Sequence, residues 1–255
     1  MKVTYPTPPE RVSAFVQGIL VIENYQSADA FELPLFANGT PTLLFQTKKG
    51  QLSTGSNYLT LFGQTVCPDK LSIKGEFTLI AYFLKSYSLP SLFATAANEL
   101  IDNPIDFNLL PMGAGLQDRL LNAGTINEML SLMDDFLSDL IAKIRVDQSL
   151  IKYAVDKIGY NTDKNILVHI QNELCLTERT FQRMFERNIG VSPNQFRRII
   201  QFNKSFQQLN NRIFKKLSDI SLDNGYADQN HYIRSFKEFT NITPTNYLNA
   251  IATGL

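Results

Sequence analysis

The pattern of one 21-residue stretch of this chain recurs 51 positions later. Leu176 to Phe196 reads LTERTFQRMFERNIGVSPNQF, and Ala227 to Tyr247 reads ADQNHYIRSFKEFTNITPTNY. A forward shift of 51 positions carries Phe181 to Tyr232, Arg183 to Arg234, Phe185 to Phe236, Val191 to Ile242, Ser192 to Thr243, Pro193 to Pro244 and Phe196 to Tyr247. Seven matches in one ungapped offset exceed what shared composition supplies. An internal repeat constrains architecture before any local propensity is weighed.

Each copy reads as a short helix with a defined start and stop. Thr177 and Asp228 are N-cap residue types at matching places. Phe181, Met184 and Phe185, and Tyr232, Ser235 and Phe236, fall at i, i+3 and i+4, so one stripe of each helix faces a core. Gly190 ends the first helix and Asn241 the second, both suited to the left-handed backbone of a helix stop. Ser192-Pro193 and Thr243-Pro244 then open a further helix with a cap and an N1 proline. Upstream of each copy lies another apolar-periodic segment, Ile166, Leu167, Ile170 and Leu174, then Leu217, Ile220 and Leu222. The tight turns Leu174-Cys175-Leu176 and Asn224-Gly225-Tyr226 follow.

Helix, tight turn and helix is the helix-turn-helix plan, whose second helix enters the major groove. The early outward residues are Glu178, Arg179, Gln182 and Arg183 in one copy, and Gln229, Asn230, His231, Ile233 and Arg234 in the other. Arg pairs bidentately with guanine and Gln or Asn with adenine, so these side chains suit base readout. A small bundle with a merely solvated polar face is the alternative. An Arg recurring at the same outward position favours double-stranded DNA. Between the copies, Ser192 to about Asn211 reads as one long helix of ~20 residues, about 30 Å. That is close to the ~34 Å turn of B-DNA, so two joined modules would reach successive grooves on one face.

The pattern L-T-x-R-x-F-x-R-x-F, G-V-S-P-x-x-F, a long helix, N-G-Y-x-D-x-x-Y-x-x-x-F-K and T-P-x-x-Y resembles the AraC/XylS transcription regulators over about residues 148–250. The resemblance implies base contacts from Arg179, Gln182, Arg183, Gln229, Asn230, His231 and Arg234, and RNA polymerase as a further partner. Gln171, where the family usually has Ala, and Ser221-Leu222, in place of its Ile-Ala, depart from the pattern. Arg187, Arg197, Arg198 and Lys204 are the candidate phosphate contacts.

The chain's formal charge is zero, but it is unevenly placed: +5 over residues 164–255 and −5 over residues 1–163. A basic half beside an acidic one is the asymmetry of a DNA reader joined to something else. Cys67 and Cys175, the two cysteines, fall in different expected domains, which suits a reducing compartment without disulfides. MKVTYPTPPER has no apolar signal core, and no apolar run approaches ~18 residues, so a cytoplasmic protein is expected.

Residues 1 to about 90 read as β structure. Apolar and β-branched runs (Ala14–Ile22, Thr42–Phe45, Tyr58–Phe62, Phe77–Leu84) alternate with turns at Asn38-Gly39, Lys49-Gly50, Gly55-Ser56 and Lys74-Gly75. A small barrel or sandwich, or a half-open version, is expected. It weakly resembles the cupin-like effector domains of AraC-type proteins, which implies a small-molecule effector. Phe15, Phe45, Tyr82 and Phe83 are candidate pocket residues; the effector's identity does not follow. No His precedes His169, so a His-built cupin metal site is excluded. No nucleophile elbow, phosphate loop or Cys/His pair is present, so the expectation is no enzyme, no metal and no cofactor.

Residues 126–145 carry a wide apolar stripe (Met129, Leu130, Leu132, Met133, Phe136, Leu137, Leu140, Ile141, Ile144). It suits burial in its own domain or, as the resemblance implies, a homodimer. Leu150–Ile158, stopped by Gly159, leads into the repeats. The whole reads as α+β: residues 1–125 a β-rich regulatory domain with trailing helices, 126–147 a linker or dimerisation helix, and 148–255 an all-α DNA-binding domain. The function expected is a sequence-specific transcription regulator controlled through its N-terminal domain. The alternative is a constitutive architectural protein whose barrel binds another protein and no metabolite.

Overall fold

The computed structural model describes residues 1–25 and 30–252. The N-terminal domain is built on a six-stranded antiparallel sheet in the order β1-β2-β7-β4-β5-β8, with a separate pair β3-β6. Its strands are β1 (Lys2–Thr4), β2 (Val16–Asn24), β3 (Ala30–Leu35), β4 (Thr42–Gln46), β5 (Leu59–Phe62), β6 (Asp69–Lys74), β7 (Phe77–Leu84) and β8 (Ile105–Asp106). Among the described residues no ladder joins the pair to the larger sheet, so the expected barrel is the half-open form. Successive residues of a strand face opposite sides. β7 therefore places Ile80, Tyr82 and Leu84 in one core and Leu79 and Ala81 in another. The second core lies toward β6, whose Leu71 and Ile73 it contains.

Helices cover the first face. They are α1 (Glu10–Ser13), α2 (Leu89–Phe93), α3 (Leu116–Asn122) and α4 (Ile126–Ile141), with short 3-10 turns at Ala97–Leu100, Phe107–Leu109 and Pro111–Gly113. Thr125 caps α4 by accepting the Glu128 amide. Met129, Met133 and Leu137 of α4 are buried in the sheet's core, and Leu130, Leu132, Phe136, Leu140 and Ile141 pack against it. The wide stripe thus finds partners inside its own domain. Asp134, also buried, accepts a hydrogen bond from the Tyr82 hydroxyl at 2.9 Å.

The C-terminal domain is all helical: α5 (Ser149–Tyr160), α6 (Ile166–Glu173), α7 (Glu178–Asn188), α8 (Pro193–Asn210), α9 (Leu217–Asp223), α10 (Gln229–Thr240) and α11 (Pro244–Ala252). Gly159 lies inside α5 rather than stopping it. One aromatic-rich core joins both modules through α8, whose Phe202 stacks on Phe236 and Phe239 at 5.7 and 5.0 Å. That core also takes in Ala37 and Tyr87 of the N-terminal domain, so the two domains are packed together. Among the described residues no helix is long and apolar enough to cross a membrane.

Candidate nucleic-acid interface

The two repeated helices, α7 and α10, are held by matching devices. Thr177 accepts the Thr180 amide at 3.3 Å, and Asp228 accepts the His231 amide at 2.6 Å. Phe181 and Phe185 are buried with rings 5.0 Å apart; Tyr232 and Phe236 are buried 5.9 Å apart. The buried stripes fix which face turns outward. Glu178, Arg179, Gln182 and Arg183 are exposed on α7, as are Gln229, Asn230 and Arg234 on α10, whereas His231 and Ile233 are half-buried. Gln182 donates to Glu186 at 2.9 Å. Arg179, Arg183 and Arg234 make no hydrogen bond or ion pair with other described residues, so their donors face solvent. Gly190 and Asn241 both adopt the left-handed backbone, at φ +100° and +64°.

The turns repeat as well, but at a different offset. Cys175 and Leu176 donate to the carbonyls of Asn172 and Gln171; Gly225 and Tyr226 donate to those of Leu222 and Ser221. These pairs are 50 residues apart, whereas the helix starts Glu178 and Gln229 are 51 apart. The second module carries one extra residue between turn and helix, which puts Ala227 beside His231. The Ala227 amide donates to His231 Nδ1 at 3.3 Å, leaving the neutral ring's proton on Nε2. Burial, then the neighbouring Lys164 and Arg234 charges, hold this imidazole below its ordinary pKa. With Nδ1 engaged by the Ala227 amide, Nε2 is the ring nitrogen left to face a partner. Leu222, expected on the apolar stripe, is 72% exposed, while Ser221 takes the buried place.

The phosphate candidates divide. Arg187 is exposed. Arg198 is half-buried, ion-paired with Glu238 and set over the Phe239 ring at 5.7 Å. Lys204 is half-buried and donates to the Tyr160 carbonyl at 3.0 Å, with its pKa lowered by burial. Arg197 is corrected outright: it is 6% exposed and donates inward to the Thr162 carbonyl at 2.8 Å, where no phosphate reaches it. Gln201, its buried hydrogen-bond partner at 3.4 Å, was missed. The available signal was the spacing of Arg197, Gln201 and Ser205, polar residues four apart on a helix otherwise rich in apolar positions.

The N-terminal domain grips the back of these modules. Phe36 sits edge-on to Phe206 of α8 and Tyr247 of α11, at 5.6 and 6.4 Å. An apolar cavity of about 260 Å³ lies between the sheets, walled by Leu33, Leu44, Phe62 and Phe83 and closed by Phe206 and Asn203 of α8. A more polar cleft of about 790 Å³ between the domains carries Lys85 and Lys204 and shares Asn38, Phe83 and Asn203 with the cavity. Of the four expected pocket residues only Phe83 lines it. Phe45 and Tyr82 belong to the opposite core under α4, because their positions on β4 and β7 point them to the other face, and Phe15, in the turn before β2, packs against that same core.

The family described as Helix-turn-helix domain matches residues 170–250. No curated protein matches the chain by sequence. Solved structures of ToxT from Vibrio cholerae share the fold. One superposes with a TM-score of 0.53 at 14% identity, covering 91% of this chain and 97% of that one. Another is described as unsaturated fatty acid bound wild-type ToxT, with a TM-score of 0.50, 15% identity and coverage of 90% and 94%. A third is ToxT bound to (E)-4-(8-methylnaphthalen-1-yl)but-3-enoic acid, with a TM-score of 0.51, 14% identity and coverage of 90% and 97%. Residues 170–250 are thus a helix-turn-helix domain, with the motif present in two copies as in the AraC/XylS regulators the sequence resembles, behind an N-terminal domain that completes the two-domain fold of ToxT.

Proposed function

We propose that this chain is a sequence-specific DNA-binding transcription regulator whose N-terminal domain is controlled by a small apolar acid. One observation carries the DNA reading: two capped helices at matching places in a repeat each present an exposed, unpaired arginine, Arg183 and Arg234. Bases are read by Arg183 with Arg179 and Gln182, and by Arg234 with Gln229, Asn230 and the His231 Nε2–H; Arg187 contacts phosphate. Selection of bound duplexes from a random pool tests this. Arg183→Ala or Arg234→Ala is expected to cost about 1–3 kcal/mol on the enriched sequence and to relax base preference at one patch. Unchanged selectivity in both variants would refute the assignment. Doubling of the enriched site would support a homodimer.

The effector reading rests on the apolar cavity and the two lysines in the cleft beside it. An apolar body between Leu44, Phe62 and Phe206 would leave its carboxylate near Lys85 and Lys204, and both acids described in ToxT have this build. Because Asn203 and Phe206 close the cavity from α8, an occupant shifts the arrangement of the modules by whatever it gains from one arrangement over another. A long-chain unsaturated fatty acid at about 100 times its dissociation constant should stabilise the chain by ~2.7 kcal/mol. If no apolar acid gives a saturable thermal shift, the effector reading is withdrawn and the DNA reading stands.

A further inference from the structure

Arg197 poses a physical problem that its neighbours resolve. A guanidinium removed from water is costly unless its donors are filled, and this one forms no ion pair among the described residues. It is satisfied by neutral oxygens: Nη1 donates to Thr162 O at 2.8 Å and Gln201 Oε1 at 3.4 Å, while Nε and Nη2 donate to Asn194 Oδ1 at 3.3 and 3.1 Å. Thr162 lies on the segment leading into α6 of the first module. Gln201 Nε2 then donates to Asn224 O at 2.8 Å, and Asn224 is the C-cap of α9, at the turn of the second module. Asn224 Nδ2 returns to α8 through Gln208 Oε1 at 2.6 Å.

A relay of directional bonds therefore runs from the approach to one module, through α8, to the turn of the other. The other buried contacts of α8, apart from the Ser205–Tyr226 hydroxyl pair, are apolar (Phe196, Ile199, Phe202), and apolar burial has no preferred direction. The Arg198–Glu238 ion pair and the Gln208–Asp223 hydrogen bond lie at the exposed surface, where such contacts hold weakly. A helix held only by apolar contacts can rotate or slide more readily than one whose buried side, at Arg197 and Gln201 one turn apart, bonds to a carbonyl of each module. Buried polar groups are best attested where they fix register rather than add stability. We infer that Arg197 and Gln201 are positioning residues that set the separation and relative rotation of α7 and α10, and hence the spacing between the two base patches this chain accepts. The inference rests on the DNA-binding reading and adds to it a determinant that touches no DNA.

The test uses the full chain and a duplex enriched by it from a random pool, remade with one or two base pairs inserted or removed between the two protected patches. Each base pair rotates one patch against the other by about 35°. The wild-type chain is expected to lose about tenfold or more in affinity per change, and Arg197→Met and Gln201→Met only about threefold or less. Salt dependence on the parent duplex should be unchanged. Equal spacing penalties in wild type and variants overturn the inference. So does a salt slope reduced by about one in Arg197→Met with its spacing penalty kept, since that is a phosphate contact. If Arg197→Met fails to melt cooperatively, Gln201→Met, which removes no charge, decides alone. A wild-type chain that enriches no sequence sinks the regulator reading and this inference together.

Discussion

Gly190 allows the contact between the domains to be tested apart from the helix stop it also forms. Its backbone is left-handed at φ +100°. A Cβ built on it lies 2.7 Å from the Ala97 carbonyl oxygen and 2.9 Å from that carbonyl carbon. Both are backbone atoms of the N-terminal domain, so no rotamer change relieves the clash. The equivalent residue of the second module, Asn241, holds the same kind of backbone at φ +64° and is exposed. A left-handed alanine costs roughly 1–2 kcal/mol, whereas asparagine visits this conformation routinely. Overpacking adds about 1–3 kcal/mol. Gly190→Asn carries the same Cβ clash as Gly190→Ala with less backbone strain, and should destabilise by ~1–3 kcal/mol. For a chain of this size that lowers the melting temperature by about 2–12 °C in Gly190→Asn. Amide exchange should rise across residues 97–103, opposite α7. Asn241→Ala, the control, should carry only the backbone cost. A Gly190→Asn melt indistinguishable from wild type, with unchanged exchange at 97–103, would show that the domains do not meet here in solution.

Two further predictions concern charge. Burial, opposed by the Tyr82 hydroxyl and by Arg11, raises the Asp134 carboxyl above its ordinary range. A folded pKa above the unfolded one gives stability that is present below the unfolded value and lost as pH rises through the folded value. Asp134→Asn should therefore gain in melting temperature over wild type at pH 7, with the gain shrinking toward pH 4; a gain that grew on acidification would reverse the assignment. Arg187→Ala should weaken all duplexes alike and lower the salt slope by roughly one, and a loss confined to one base pair would make it a base contact instead.

The repeat made the C-terminal half legible because each device in it is local. A cap, a stop and an i, i+4 stripe lie within a dozen residues, and Thr177, Gly190, Asp228 and Asn241 all serve as their types suggest. The β half was legible only in its central strands. β4, β5 and β7 are buried on both faces and read as apolar runs. β3 and β6 alternate in exposure, and β3 contains Pro34, so neither stands out from the turns around it. The cavity was illegible because its walls come from β2, β3, β4, β5, β7 and α8, and only the fold brings those together.

Arg197 shows where reading by residue type breaks down. On a helix with one wet face, an arginine among polar neighbours belongs outside, and phosphate is the natural partner. α8 has no such simple face, because both modules pack on it and burial extends around it from Phe196 and Arg197 through Ile199, Gln201, Phe202 and Ser205. Arg197, Gln201 and Ser205 recur every four residues and are 6%, 4% and 0% exposed, a polar line inside the domain. Its members reach Thr162 O, Asn224 O and the Tyr226 hydroxyl, all in segments next to a recognition module. Apolar packing fixes the rotation of α8 less sharply than this line of directional bonds does. On the proposed reading, Arg183 and Arg234 are set by side chains that never meet the duplex, and two α7- and α10-like helices joined without that line should select the same bases at no fixed distance, which selection of duplexes by an Arg197→Met, Gln201→Met chain would show.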